Sequence, residues 1–268
     1  GQRAYLVGGG RALQLKEAGH EASWASTPLL RGVLRRIGAH ADVVTYLGEY
    51  TRARLAGVVP AAKLVRLAPG VDTAAFHPGV APVGSFGGPV VVCVSRLVRR
   101  KGQDQLIKAW PRVLRAVPDA VLLLVGDGPD RRRLERLAAG TRSVVFAGAV
   151  SGESLPGYYA AGDVFAMPCR TRLRGADVEG LGIVFLEASA TGLPVVAGAS
   201  GGAPDAVRQG ETGLVVDGGS AGAVAQALVE LLEDRERAGK MGALGREWIT
   251  SAWSWELVAR RFHDILWG

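Results

Sequence analysis

From residue 89 onward, short apolar runs alternate with longer segments in which apolar residues recur every three or four positions, joined by short connections. A continuous apolar run bounded by turn residues reads as a strand buried on both faces, and spacing near 3.6 residues reads as a helix packed on a sheet. The pattern predicts strands at 89–95, 120–126, 143–147, 163–167, 194–198 and 213–216. Between and after them it predicts helices at roughly 103–117, 129–139, 152–161, 181–191, 203–208, 220–233, 235–250 and 254–266. Strictly alternating strand and helix argues for α/β architecture, a parallel sheet with helices on both faces. Six strands in this order make a complete nucleotide-binding domain.

One stretch carries most of the chemistry. Asp177-Val178-Glu179-Gly180-Leu181-Gly182-Ile183-Val184-Phe185-Leu186-Glu187 places two carboxylates eight positions apart around a Gly-x-Gly turn that opens an apolar helix. Glu179 falls in the loop and Glu187 inside the helix, and between them the first amides of the helix have no intrahelical partner. Such a terminus holds phosphate. Acids on either side of an anion are tolerable only where each grips hydroxyl groups, so the ligand expected here is a sugar nucleotide. The phosphate charge then needs cations from elsewhere. Ser95-Arg96-Leu97-Val98-Arg99-Arg100-Lys101-Gly102 directly follows the apolar run Val90–Val94, and a turn at the carboxyl end of a parallel strand is where doubly wound folds bind ligands. Arg96 and Lys101 are the candidates to neutralise a diphosphate, Arg through a bidentate grip and Lys as a movable charge.

Together these motifs resemble the retaining glycosyltransferases of family 4, and the resemblance runs from Val90 to Trp267. It includes Ser95 to Asp104, Leu122 to Asp130, Ala161-Gly162-Asp163-Val164-Phe165-Ala166-Met167-Pro168, the paired glutamates Glu179 and Glu187, and Ser200-Gly201-Gly202-Ala203-Pro204. Arg170-Thr171-Arg172 followed by Gly175 to Gly180 looks most like the mannosyltransferases that extend phosphatidylinositol mannosides from GDP-mannose.

The resemblance implies a GT-B fold, two Rossmann-like doubly wound domains, with the amino-terminal one incomplete in this sequence. It implies transfer of a hexose to an acceptor hydroxyl with retention of anomeric configuration, the departing nucleotide diphosphate being stabilised by Arg96 and Lys101. Glu179 would hold hydroxyls of the donor sugar and Glu187 the ribose diol. The amides of Leu181, Gly182, Ile183 and Val184 would cradle phosphate, and the turn at Gly148 and Val150 would meet the base through main-chain groups. Gly9 and Gly10 correspond to a glycine loop near the phosphates, or to a flexible end. The family's reactive-site histidine precedes a segment like Gly19-His20-Glu21; Ala18 stands in its place here, and His20 is either a remnant of that site or structural.

Residues 1–88 are expected to form a partial acceptor-side domain, 89–252 the nucleotide-sugar domain, and 253–268 a helix crossing back to the first. The first part offers strands at 4–7, 42–47 and 63–67 and a helix-like stretch from Arg11 to Ala18, short of the order of 150 residues that a full domain takes. The sequence is therefore expected to lack residues near 8–11, 18–20 and 79–88.

Composition narrows partners without choosing among them. The 268 residues carry a net charge of +7 and a pI near 9.8, which suits nucleotide diphosphates or anionic lipid head groups. Aromatic residues are only 6% of the chain and are not interleaved with basic ones, so nucleic acid is not an expected partner. Arg31, Arg35 and Arg36, spaced along a helix, could meet a lipid phosphate or form a solvated face. Cys93 and Cys169 lack metal spacing and read as reduced thiols. No Asp-x-Asp pair bridges a metal to a diphosphate, so no cofactor or metal is expected. Without a secretory signal or an uninterrupted apolar span, the expected location is cytoplasmic, at the inner face of a membrane through peripheral contact. A dinucleotide-dependent oxidoreductase would need Gly-x-Gly-x-x-Gly after the first strand of the sheet, where this chain has Arg and Lys. A UDP-sugar-dependent transferase acting on a small-molecule or glycan acceptor, and a non-catalytic nucleotide-binding fragment, are the remaining alternatives.

Overall fold

The computed structural model describes residues 4–8, 11–18 and 28–267. Two sheets organise them. The first takes β1 (Ala4–Gly8), β2 (Arg11–Ala18), β3 (Val43–Tyr46) and β4 (Leu64–Arg66) in the order β1-β2-β3-β4, with α1 (Pro28–His40) and α2 (Glu49–Leu55) in the connections. The stretch Arg11–Ala18, expected to be helical, is a strand. It pairs antiparallel with β1 from Ala4 opposite Leu15 to Gly8 opposite Arg11, and parallel with β3. Its Ala, Leu, Gln, Lys and Glu favour helix weakly, and sheet pairing overrides that preference.

The second sheet holds six strands, all parallel: β5 (Val90–Val94), β6 (Val121–Val125), β7 (Val144–Gly148), β8 (Val164–Met167), β9 (Val195–Gly198) and β10 (Gly213–Val216). Six predicted strands coincide with these to within a residue or two. Their order is β10-β9-β8-β5-β6-β7, so the chain first winds outward from β5 to β7, then returns to start again at β8. The crevice between β5 and β8 is the switch point at which such sheets bind ligands. The connecting helices are α3 (Gln103–Ala116), α4 (Arg131–Leu137), α5 (Leu155–Ala160) and α6 (Ile183–Ala190), followed by α7 (Ala221–Glu233), α8 (Arg235–Ala252) and α9 (Trp255–Trp267). The predicted helix at 203–208 is a 3-10 turn, Ala203–Ala206.

Every residue of β5, β6, β8 and β9 is buried, as continuous apolar runs require when helices cover both faces. On α3, Leu106, Trp110 and Val113 turn one face inward at helical spacing. The core of this sheet is extensive, whereas the first sheet centres on a small cluster of Ala41, Val44, Leu55 and Val59.

Several contacts fasten the two sheets. Arg246 on α8 donates to the carbonyls of Thr73 (3.1 Å), Phe76 (2.8 Å) and Ala190 (2.9 Å), clasping the connecting segment against α6. The amide of Val71 donates to Trp253 O at 2.8 Å, and α9 lies against β1. Arg66 on β4 covers the Trp253 ring at 4.8 Å. The first turn of α2 has Gly48 at its N-cap, with no side chain to accept an amide. Asp205, from the loop after β9, supplies that acceptor: Tyr50 N donates to its Oδ2 at 3.0 Å.

Candidate functional site

The turn after β5 and the loop after β8 meet at the switch point. Gly102 ends the basic turn in a left-handed conformation, φ 80°, and any Cβ there would collide with the Pro168 carbonyl. Glycine at this position lets the two backbones touch, and Arg170 N donates to Arg100 O at 2.8 Å just beyond. Gln103, buried at the start of α3, donates to Ser95 Oγ (2.8 Å) and Arg96 O (3.1 Å), fixing the turn from beneath. Buried Asp104 takes a bidentate grip from Arg170, at 2.8 and 3.1 Å.

The side chains brought together are charged. Lys101 Nζ lies 2.7 Å from Glu179 Oε2, with both side chains nearly enclosed. Arg100 stands between the acids, its Nε 3.6 Å from Glu179 Oε2 and its Nη1 3.6 Å from Asp177 Oδ1. Arg172 pairs with Asp177 at 3.3 Å. The buried Nε of Arg100 has no hydrogen-bond acceptor. The Arg96 side chain is exposed and makes no hydrogen bond or ion pair among the described residues. Two acids thus face three paired cations and an unpaired Arg96, a surplus of positive charge open to an anion.

The backbone of Glu179 is pinned from the loop after β9. Gly202 N donates to Glu179 O at 2.9 Å, Glu179 N reaches Ser200 Oγ at 3.4 Å, and Ser200 Oγ lies 3.1 Å from Thr171 Oγ1. Downstream, Gly182 turns left-handed at φ 82° to cap α6, a geometry glycine adopts without the penalty a Cβ brings. Leu181 is buried while Gly182, Ile183 and Val184 reach the surface, so the amide-bearing end of α6 opens outward. Inside α6, Glu187 accepts a hydrogen bond from Tyr159 of α5 at 2.6 Å. Burial raises the Glu187 carboxyl above its ordinary range, and the Tyr159 bond opposes that rise only in part.

At the end of β7, Gly148 takes φ 76° and accepts from Gly126 N at 2.7 Å, with Arg131 alongside and Val150 partly buried. Gly9, Gly10 and His20 lie outside the described residues. Burial pushes the Cys93 and Cys169 thiols up to about 12, so both remain neutral small hydrophobes.

The structure therefore brings Lys101, Glu179 and the opening of α6 to one crevice and leaves the Arg96 side chain exposed and without a partner among the described residues. Arg100, given no role from the sequence, is the second cation on Glu179. No sequence signal marked it, because Glu179 lies far along the chain. Tyr159 gave no sequence signal, because its partner is 28 positions away.

Comparisons with known proteins bear on the family and the fold. A GDP-mannose-dependent alpha-(1-6)-phosphatidylinositol monomannoside mannosyltransferase of Mycobacterium tuberculosis is 52% identical, over 99% of this chain and 72% of its own. The monoacylated-substrate counterpart of Corynebacterium glutamicum is 45% identical over 92% of this chain and 68% of its own. Among solved structures, a sucrose-phosphate synthase of Thermosynechococcus elongatus superposes with a TM-score of 0.79 at 27% identity, over 94% of this chain and 66% of that one. Its fold is GT-B, as expected from the sequence. A model of the family described as "Glycosyl transferases group 1" matches residues 88–234, and with it the chain is placed: it belongs to the group 1 glycosyl transferases.

Proposed function

We propose that this protein transfers mannose from GDP-mannose to a hydroxyl of a phosphatidylinositol mannoside-type glycolipid, retaining the anomeric configuration. The observation that carries the reading is the meeting of Lys101 and Glu179, 2.7 Å apart, at the switch point beside the open end of α6. Relatives named as GDP-mannose-dependent mannosyltransferases at 45–52% identity supply the donor and acceptor class.

As the glycosidic bond breaks, negative charge grows on the diphosphate oxygen that leaves. Arg96 and Lys101 stabilise it as cations, and the amides of Leu181, Gly182, Ile183 and Val184 as fixed dipoles. Lys101 then divides its charge between the diphosphate and Glu179. Glu179, held by its backbone and by Arg100, presents acceptors to hydroxyls of the transferred sugar. Glu187 receives the ribose diol, and the main chain at Gly148 and Val150 meets the base. In this reading residues 1–88 form the acceptor side, 89–252 the donor side, and 253–268 the return crossing. No described helix is long and apolar enough to cross a membrane; peripheral contact with anionic lipid at the cytoplasmic face, through Arg31, Arg35 and Arg36, brings the acceptor within reach.

Calorimetry with GDP, UDP and ADP, followed by incubation with radiolabelled GDP-mannose and a phosphatidylinositol monomannoside, tests this. The reading expects preference for GDP and label in the lipid. Preference for UDP would transfer the assignment to a UDP-sugar donor, and tight GDP binding without transfer or donor hydrolysis would leave only a binding module.

A further inference from the structure

Tyr159 is a fully enclosed phenol in a file of aromatic rings. Phe76 meets it edge-on at 5.5 Å, Phe165 stacks on it at 5.7 Å, and Phe185 closes on Phe165 at 5.8 Å. None of that packing uses a hydroxyl, and a buried hydroxyl costs free energy unless it is paired. Its one hydrogen bond goes to Glu187 Oε2 at 2.6 Å, the short distance typical of a donor to a carboxylate.

Glu187 is otherwise unengaged. No cation pairs with it among the described residues, and the Tyr159 hydroxyl is the only group recorded on its side chain. A glutamate free at all its side-chain torsions would spread its two oxygens over many directions. One oxygen tied to a rigid, packed ring leaves the other with a fixed aim. Burial and the neighbouring carboxylate hold the phenol proton well beyond its ordinary range, so the ring stays a donor at every physiological pH.

We infer that Tyr159 is a positioning residue, fixing one oxygen of Glu187 so that the other meets the vicinal hydroxyls of the donor's ribose. This rests on the assignment of Glu187 to the ribose made above. The hydroxyl contributes by restricting a carboxylate before the donor arrives, which lowers the ordering cost of binding.

The test compares GDP with 2′,3′-dideoxy-GDP by calorimetry for the unaltered protein, Tyr159→Phe, Glu187→Ala and the double variant, with thermal unfolding as a folding control. Tyr159→Phe keeps the ring contacts. It should weaken GDP about five- to tenfold, the worth of one hydrogen bond, and leave the dideoxy ligand within about twofold. The donor KM should rise with kcat nearly constant, the pattern of a contact made equally in ground and transition states. In the double variant the Tyr159 change should have no further effect. Equal loss for both ligands, or additive losses in the double variant, would reduce Tyr159 to packing and overturn the inference. Should Glu187→Ala itself fail to abolish the preference for GDP over its dideoxy analogue, the ribose assignment falls and takes the inference with it. If Glu187→Ala abolishes it and Tyr159→Phe leaves it intact, the inference alone falls.

Discussion

Lys101 Nζ sits 2.7 Å from Glu179 Oε2, and this pair joins the turn after β5 to the loop after β8. With both side chains largely out of water, either partner left alone is a charge without its counterion. Lys101→Met should lower turnover about 10²- to 10³-fold, the usual effect of removing one stabiliser of developing negative charge. It should also lower the melting temperature, since Arg100 at 3.6 Å compensates Glu179 only in part. Lys101→Met combined with Glu179→Gln should recover stability and not activity. Full activity in Lys101→Met, measured by label transfer, would remove the lysine from the chemistry.

Glu187 ties stability to pH. Its folded-state pKa stands above the ordinary 4.5, with burial the main cause. The folded chain therefore binds this proton more readily than the unfolded chain does. Between 4.5 and the raised value, stability from this group grows as pH falls; above the raised value the ionised, buried carboxylate carries its full cost. Glu187→Gln should be the more stable protein at neutral pH, and its advantage should shrink toward pH 4.5 in denaturant titrations. GDP affinity should run the other way in the unaltered protein, weakening as the carboxylate takes up its proton, and should be flat across that range in the glutamine variant.

Arg246 serves three carbonyls, those of Thr73, Phe76 and Ala190. Hydrogen bonds from a charged donor contribute about 1.5–3 kcal/mol each, and buried carbonyls left unpaired add to the loss. Arg246→Ala should destabilise by at least about 3 kcal/mol in urea unfolding. Arg246→Lys should restore only part, because a single ammonium lacks the fork that spans separate acceptors.

Arg31, Arg35 and Arg36 are all exposed on α1. A basic residue near an anionic bilayer contributes about 1 kcal/mol, so the Arg35→Ala/Arg36→Ala pair should cut sedimentation with phosphatidylserine vesicles roughly 30-fold at low salt. Unchanged sedimentation would make this a solvated face.

Why was one half of the chain so readable? Strands such as Val121–Val125 and Val164–Met167 are covered on both faces, so burial writes an unbroken apolar run that few other structures share. The Gly182 turn that opens α6 was legible because a helix start is written in a few neighbouring residues. Arg11–Ala18 was misread for the opposite reason: its residues carry no β-branching, and only pairing with β1 and β3 makes it a strand. Arg100 and Tyr159 were hidden because their roles depend on partners far along the chain, Glu179 and Glu187.

The Asp205 cap on α2 joins two events that would otherwise be independent. Widening the gap between the sheets strips the seven-residue helix of the acceptor at its first turn, a loss of about 0.5–2 kcal/mol for a cap of this kind. Opening and fraying of α2 then occur together, and whatever reorders that turn also draws the halves closed. Burial raises the Asp205 carboxyl above its ordinary range, so mild acid, by protonating it where it is buried, favours the closed arrangement over the open one.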